Sequence, residues 1–184
     1  MINAAAGQVS GVNDYKALVC LFLYGGNDGN NLVVPTDSAS YSAYAGARSQ
    51  LAIPSGQLAG ISPLNNDGHS YGFHPACPEL ATLFNQGKLA VLWNVGTLCV
   101  PTTRAQFQAQ SVPLPMQLFS HNDQQVQWQT SLSDRQSRSG WGGRIADLLY
   151  SLNTNSTVSM SITLNGANIF EVGNTVSQYN VSTG

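Results

Sequence analysis

A carboxylate lies at the end of an apolar run, inside a turn of glycines and amides. Residues 25–29 read Gly-Gly-Asn-Asp-Gly, and Asp28 is the charged member. Because open α/β sheets bind ligands at the carboxyl ends of their strands, Asp28 is placed to bind a hard metal or zinc. Asn27, Asn30 and Asn31 would add oxygen donors. The same residue types also form ordinary turns, so both interpretations stay open.

A serine followed by a histidine opens a predicted helix. Ser120 would lie in the positive field of the helix N-terminus, which favours an anionic substrate and a serine nucleophile. His121 would act as a base or a ligand. Asp123 follows three residues after Ser120. That spacing is similar to a capping box with Asp in place of Glu or Gln, so capping alone also explains the pair.

A third stretch, Gly-Trp-Gly-Gly-Arg at residues 140–144, opens another predicted helix. Its glycines permit close approach of backbone, and Arg144 is able to bind an oxyanion through two hydrogen bonds. The alternative is a tight helix entry in which Trp141 packs into the core. His69 lies in a predicted polar loop, and we expect less chemistry there.

Composition places limits on the class of protein. The chain has 184 residues, of which 42% are hydrophobic and only 9% are charged, against about 25% charged in typical soluble domains. This balance favours a globular, exported protein. The net charge is −2 with no basic cluster, so we expect no nucleic-acid partner. No apolar run approaches the roughly 20 residues of a membrane span, so we expect no transmembrane segment.

The chain has three cysteines, Cys20, Cys77 and Cys99. An odd number allows at most one internal disulfide, and spacing leaves a Cys77–Cys99 pair open. Cys20 falls within an apolar run, which predicts a buried free thiol.

Two continuous apolar runs, residues 16–24 and 88–95, predict strands buried on both faces. A helix between them implies a right-handed crossover and hence a parallel sheet. The sequence therefore predicts an α/β fold: parallel core strands, flanking helices and a C-terminal β-hairpin around Asn165-Gly166. The predicted helices cover residues 38–47, 74–85, 104–110, 120–131 and 141–150, with a loop over residues 53–70.

Two parallel strands are too few for an independently stable sheet. We therefore expect residues 16–184 to be the N-terminal part of a larger α/β domain. On this expectation the chain lacks the C-terminal half of its own domain. The small and polar residues at the start of the chain indicate a flexible segment over residues 1–15.

Four segments in order resemble one bacterial family, domain of unknown function 1501. They are ALVCLFLYGGNDGNNLVVP, FHPACPELATLFNQGKLAVLWNVG, LFSHNDQQVQWQTS and GWGGRIAD, within residues 16–180. Members of that family are typically exported, often by the twin-arginine route, and are grouped with the alkaline phosphatase and sulfatase superfamily. The resemblance implies a partial alkaline phosphatase-like fold and a periplasmic or secreted protein, although no signal is present in this chain.

The resemblance also implies roles for particular residues. Asp28 matches the first metal-binding aspartate of the superfamily, for zinc, calcium or manganese. Ser120 matches the serine of the family's Ser-His motif, while Thr102 and Thr103 compete for the role of nucleophile because they follow the second strand more closely. The implied activity is metal-dependent hydrolysis of small anionic phosphate or sulfate esters, absent from this fragment alone. The alternative is a non-catalytic exported binding or assembly module.

Overall fold

The computed structural model describes residues 16–65, 67–154, 157–164 and 166–181. The predicted flexible segment 1–15 lies outside these residues. The chain mixes helix and strand, at 35% and 8% respectively. The expected α/β class is confirmed at that level, although strand falls well short of the typical 20–25%. Two compact units are present: Leu21–Asn94, and a second that joins the chain up to Cys20 with Val95–Gly184.

The described residues of the unit Leu21–Asn94 form three helices and three short strands. In chain order they are α1 (Gly29–Leu32), β1 (Val33–Pro35), α2 (Ser38–Arg48), β2 (Ala59–Ile61), β3 (Tyr71–Phe73) and α3 (Pro78–Asn85). Single 3-10 turns cover Ser49–Leu51 and Ser55–Gln57. β2 lies inside the segment that was expected to be a loop. The sequence did not predict it, because a strand of three residues carries too little periodicity to be recognised.

These strands form one antiparallel sheet in the order β1-β3-β2. Phe73 of the central strand pairs with Val33 on one side and with Ala59 on the other. Its side chain is 2% exposed and packs with Val33 and Ala81 of α3. This core anchors α3 to one face of the sheet.

Local sequence explains where the helices of this unit begin and end. Asp37 caps α2 by accepting a hydrogen bond from the Ser40 N–H at 3.1 Å, as expected for an aspartate at the N-cap. α3 begins at Pro78, four residues later than the predicted start at residue 74, and Pro78 suits the first turn because proline has no N–H to leave unpaired there. After α3, Gly87 takes φ +70, the left-handed conformation that ends helices at the expected place.

The second unit contains α4 (Arg104–Ala109), α5 (His121–Thr130), α6 (Trp141–Leu149), a 3-10 turn at Tyr150–Leu152, β4 (Ile162–Thr163) and β5 (Tyr179–Asn180). The three predicted helices of this region are confirmed to within a residue or two. Thr103 and Gln106 form a reciprocal capping box on α4. Ser120 caps α5 by accepting from the Asp123 N–H.

The predicted parallel core strands are wrong for this structure. Neither residues 16–24 nor residues 88–95 form a strand, and Val19 and Leu92 are 85% and 82% exposed. Cys20, expected to be buried, is exposed, and all three cysteines are free thiols. An apolar run indicates that a segment favours burial. A strand also needs other strands to pair with, and the run does not specify them.

The predicted C-terminal hairpin is also wrong. β4 pairs in parallel with β5, joining Ile162 to Tyr179, and residues 168–172 form no strand. Asn165 of the expected turn lies outside the described residues. The backbone of residues 169–172 is engaged elsewhere, because the Phe170 and Val172 carbonyls accept hydrogen bonds from Gly143 and Gly140.

Within the described residues, every helix is too short or too polar to traverse a lipid bilayer.

Candidate functional site

Asp28 lies at the N-cap of α1, where its carbonyl accepts hydrogen bonds from the Asn31 and Leu32 N–H groups. Its carboxylate forms an ion pair with Arg48, the last residue of α2. A carboxylate paired with a guanidinium in this way acts as a tie between two helices. In the part of the chain that the structure describes, no group of three His, Cys, Asp or Glu side chains is placed to hold a metal ion.

Ser120 is the N-cap residue of α5, and the capping alternative describes its contacts. Its hydroxyl donates to the Asp123 carboxylate and accepts from the Asp123 N–H at 3.4 Å. His121 is the first residue of α5 and is exposed. The serine proton is therefore directed at a carboxylate of its own helix.

Arg144 binds backbone carbonyls. Its two terminal nitrogens donate to Ser139 at 2.9 Å and to Thr130 at 2.6 Å. Thr130 is the last residue of α5, so a cation meets the negative end of that helix. The guanidinium thereby joins the end of α5 to the entry of α6.

Ser120 and Arg144 lie at opposite ends of α5. Ser120 caps the first turn, whereas Arg144 contacts the last residue of the ten-residue helix. A rise of 1.5 Å per residue separates these points by roughly 15 Å. The structure thus does not bring the expected nucleophile and the expected oxyanion-binding residue together. Asp28 belongs to the other compact unit.

The glycines of residues 140–143 serve packing, as the alternative interpretation expected. A Cβ added at Gly140 or Gly143 would lie closer than 3.0 Å to backbone atoms of residues 169–173, and one at Gly142 would meet the Phe170 ring. The Trp141 ring packs edge-on against Phe170, with centroids 4.6 Å apart. We call residues 140–143, which are the N-cap and the first three residues of α6, the packed glycine turn.

Asp147, one turn further along α6, holds the following loop. Its carboxylate accepts hydrogen bonds from the Asn174, Thr175 and Val176 N–H groups, at 2.6 to 3.0 Å. Burial opposes ionisation of this carboxyl, but the three backbone hydrogen bonds outweigh it and hold the pKa of Asp147 below its ordinary value. No position in the sequence signalled this clamp, because its partners are backbone groups.

Thr102 and Thr103, the competing nucleophiles, already use their hydroxyl protons. Thr102 donates to the Val100 carbonyl at 2.7 Å, and Thr103 donates to the Gln106 side chain at 3.0 Å. Neither hydroxyl has a histidine partner among these contacts. Both residues line the edge of an open groove with a volume of about 310 Å³.

That groove, which we call the apolar groove, is formed around α4 and the chain that follows it. Phe107 and Phe119 meet edge to face with centroids 5.9 Å apart. The lining side chains other than the two threonines are Leu98, Phe107, Leu114, Leu118, Phe119 and one cation, Arg104. Its volume falls at the lower end of the range for small-molecule sites. Sequence patterns do not indicate this groove, because its apolar residues are not periodic.

A polar cluster at His69 was also missed. The His69 Nδ1 lies 3.1 Å from the Asp37 carboxylate and 3.3 Å from the Ser40 hydroxyl. Tyr71 donates to Asp67 at 2.7 Å, and that bond raises the pKa of Tyr71 to about 12. Because Ser40 and Asp37 share one nitrogen, this is not the relay of a catalytic triad, in which serine and carboxylate bind opposite nitrogens. Positions 67, 69 and 71 alternate, which is the signal that sequence analysis had available.

A scan of protein-family models finds no match to the chain, and searches of curated proteins and of solved structures find none either.

Proposed function

We propose that this chain is the N-terminal part of an exported bacterial protein that resembles metal-dependent phosphate or sulfate ester hydrolases. In this proposal the whole protein has the alkaline phosphatase-like fold and acts in the periplasm or outside the cell. Residues 1–184 alone do not catalyse hydrolysis. The proposal rests on the four ordered segments of the sequence.

One observation supports inactivity of this portion by itself: the candidate residues are held in structural contacts. Ser120 caps α5 and binds Asp123, while Arg144 binds carbonyls at the far end of the same helix. Asp28 is paired with Arg48. Because Ser120 and the Arg144 contact are about 15 Å apart, Arg144 does not reach a group that Ser120 attacks and does not stabilise the charge that develops on it.

The test compares the 184-residue chain with the product of the whole gene. Each is assayed with p-nitrophenyl phosphate and p-nitrophenyl sulfate, with zinc, calcium or manganese added in turn. We expect turnover by the gene product only, lost in Asp28→Asn and retained in Asp134→Asn, an exposed aspartate beside Arg135.

Turnover by the 184-residue chain at the rate of the gene product would refute its inactivity. A gene product that neither binds these metals by calorimetry nor hydrolyses either ester would refute the hydrolase proposal.

The second candidate is a non-catalytic binding or assembly module. The exposure of apolar side chains favours it: Leu18, Val19 and Leu21 are 67%, 85% and 86% exposed. Exposed apolar surface of this kind marks sites of association. This candidate predicts a gene product without turnover in which Asp28→Asn changes neither metal content nor retention of a partner.

A further inference from the structure

The apolar groove combines an apolar wall with a cation, Arg104. Its wall is made of leucine and phenylalanine side chains, and Phe119 is 83% exposed. Arg104 is exposed at the edge of this wall. Within the residues that the structure describes, its guanidinium has no hydrogen-bond or ion-pair partner.

The other polar groups of the groove do not offer a donor. The Thr102 and Thr103 hydroxyl protons are directed at Val100 and Gln106. Among the described lining residues, Arg104 therefore has donors free to meet a ligand, and its planar guanidinium has the geometry to match a carboxylate through two parallel bonds. Among the described residues that line the groove, none is acidic and able to compete for Arg104.

The size of the groove limits the ligand. A volume of about 310 Å³ corresponds to roughly ten groups of the size of a water molecule. A medium-length aliphatic chain or one aromatic ring fills that space.

We propose that the apolar groove binds a small amphiphilic carboxylate, with Arg104 on the carboxylate and the Phe107 and Phe119 rings against the apolar body. The site goes beyond the proposed hydrolase activity and needs neither the metal nor Asp28. Burial of the apolar body provides affinity, and the single cation selects an anion over a neutral or cationic analogue.

The test uses the 184-residue chain with EDTA present, so that failure of the hydrolase proposal does not affect it. Octanoate, 1-octanol and octylammonium are titrated by calorimetry, and amide shifts of residues 98–119 are followed by NMR. We expect saturable octanoate binding with shifts confined to these residues, and weaker binding of the other two. Arg104→Gln should weaken octanoate about tenfold and change octanol less than twofold.

Two matched control variants distinguish binding in the groove from nonspecific binding to exposed apolar or charged surface. Arg138→Gln removes an exposed arginine outside the groove, and Leu164→Ser removes a 79% exposed side chain to match Phe119→Ser. We expect Phe119→Ser to weaken octanoate and octanol alike, while both controls leave them unchanged. Circular dichroism melts check that each variant is folded.

The proposal is overturned if octanoate binding does not saturate, or if Arg104→Gln and Arg138→Gln weaken it equally. It is also overturned if Phe119→Ser abolishes a concentration-dependent dimer, measured by sedimentation, while no form of the chain binds octanoate. That result would assign the groove to a second copy of the chain.

Discussion

Two glycine-rich turns look alike in the sequence and differ in space. Residues 25–29 form what we call the open glycine turn: a Cβ at Gly25 or Gly26 would meet no atom within 4 Å. At the packed glycine turn, a Cβ on Gly140 or Gly143 would overlap the backbone of residues 169–173. Glycine is thus a steric requirement at Gly140, Gly142 and Gly143. In the open glycine turn, glycine is required by the backbone conformation at Gly26, which has φ +98.

The comparison teaches that glycine content does not distinguish a ligand site from a packing contact. The prediction that the glycines of the packed glycine turn permit close approach is confirmed, but the group that approaches is the backbone of residues 169–173 and not a ligand. The charged side chains near the two turns also differ in their partners. Arg144 and Asp147, near the packed glycine turn, bind backbone groups. Asp28, in the open glycine turn, pairs with the Arg48 side chain.

Gly143→Ala should have the largest effect. The added methyl meets the Val172 carbonyl carbon, which has no flexible end to move. We expect a loss of about 3 kcal/mol in the free energy of unfolding, measured by urea denaturation. A loss below about 0.5 kcal/mol would mean that residues 169–173 do not pack on α6 in solution.

Asp147→Asn should have the next largest effect, about 1–2 kcal/mol at pH 7, because a charged acceptor of three backbone bonds becomes neutral. The folded pKa of Asp147 is lowered, so its contribution is complete above the ordinary value of 3.8 and is lost as the pH falls through the folded pKa. The difference between variant and wild type should therefore shrink in acid. A difference that stays constant with pH would contradict an ionised clamp.

Gly26→Ala should cost about 1–2 kcal/mol, since Gly26 has φ +98 and L-residues are strained at positive φ. Gly25→Ala, its matched control, has no such φ and no close neighbour, so we expect a change within about 0.5 kcal/mol. Equal losses in the two variants would show that the open turn is packed after all.

Glu171→Gln should raise the thermal midpoint slightly at pH 7. One carboxylate oxygen of Glu171 is buried without a hydrogen-bond partner, and burial raises the pKa of this group. Because the folded pKa is raised, stability falls as the pH rises above the ordinary value of 4.5, and the loss is complete above the folded pKa. The gain from glutamine should therefore develop as the pH rises above 4.5 and vanish in more acid solution. An unchanged midpoint across this range would mean that water reaches the carboxylate.

The sequence by itself determined the caps at the ends of several helices. Asp37, Thr103 and Ser120 cap the helices for which their side chains suit them, and Gly87 ends α3. These features depend on neighbours within a few residues, so propensity and spacing are sufficient.

Only the tertiary structure decided what each element contacts. Residues 16–24 have the apolar content of a core strand and yet lie outside any strand, while Val33–Pro35, a much shorter segment, joins the sheet. Asp28 and Arg144 were recognised as polar groups at element ends, but their partners Arg48 and Thr130 depend on the fold. Asp123, by contrast, follows from its spacing after Ser120. The physical reason is that strand pairing and side-chain contacts join residues distant in sequence, and periodicity carries information about a face without naming the surface that covers it.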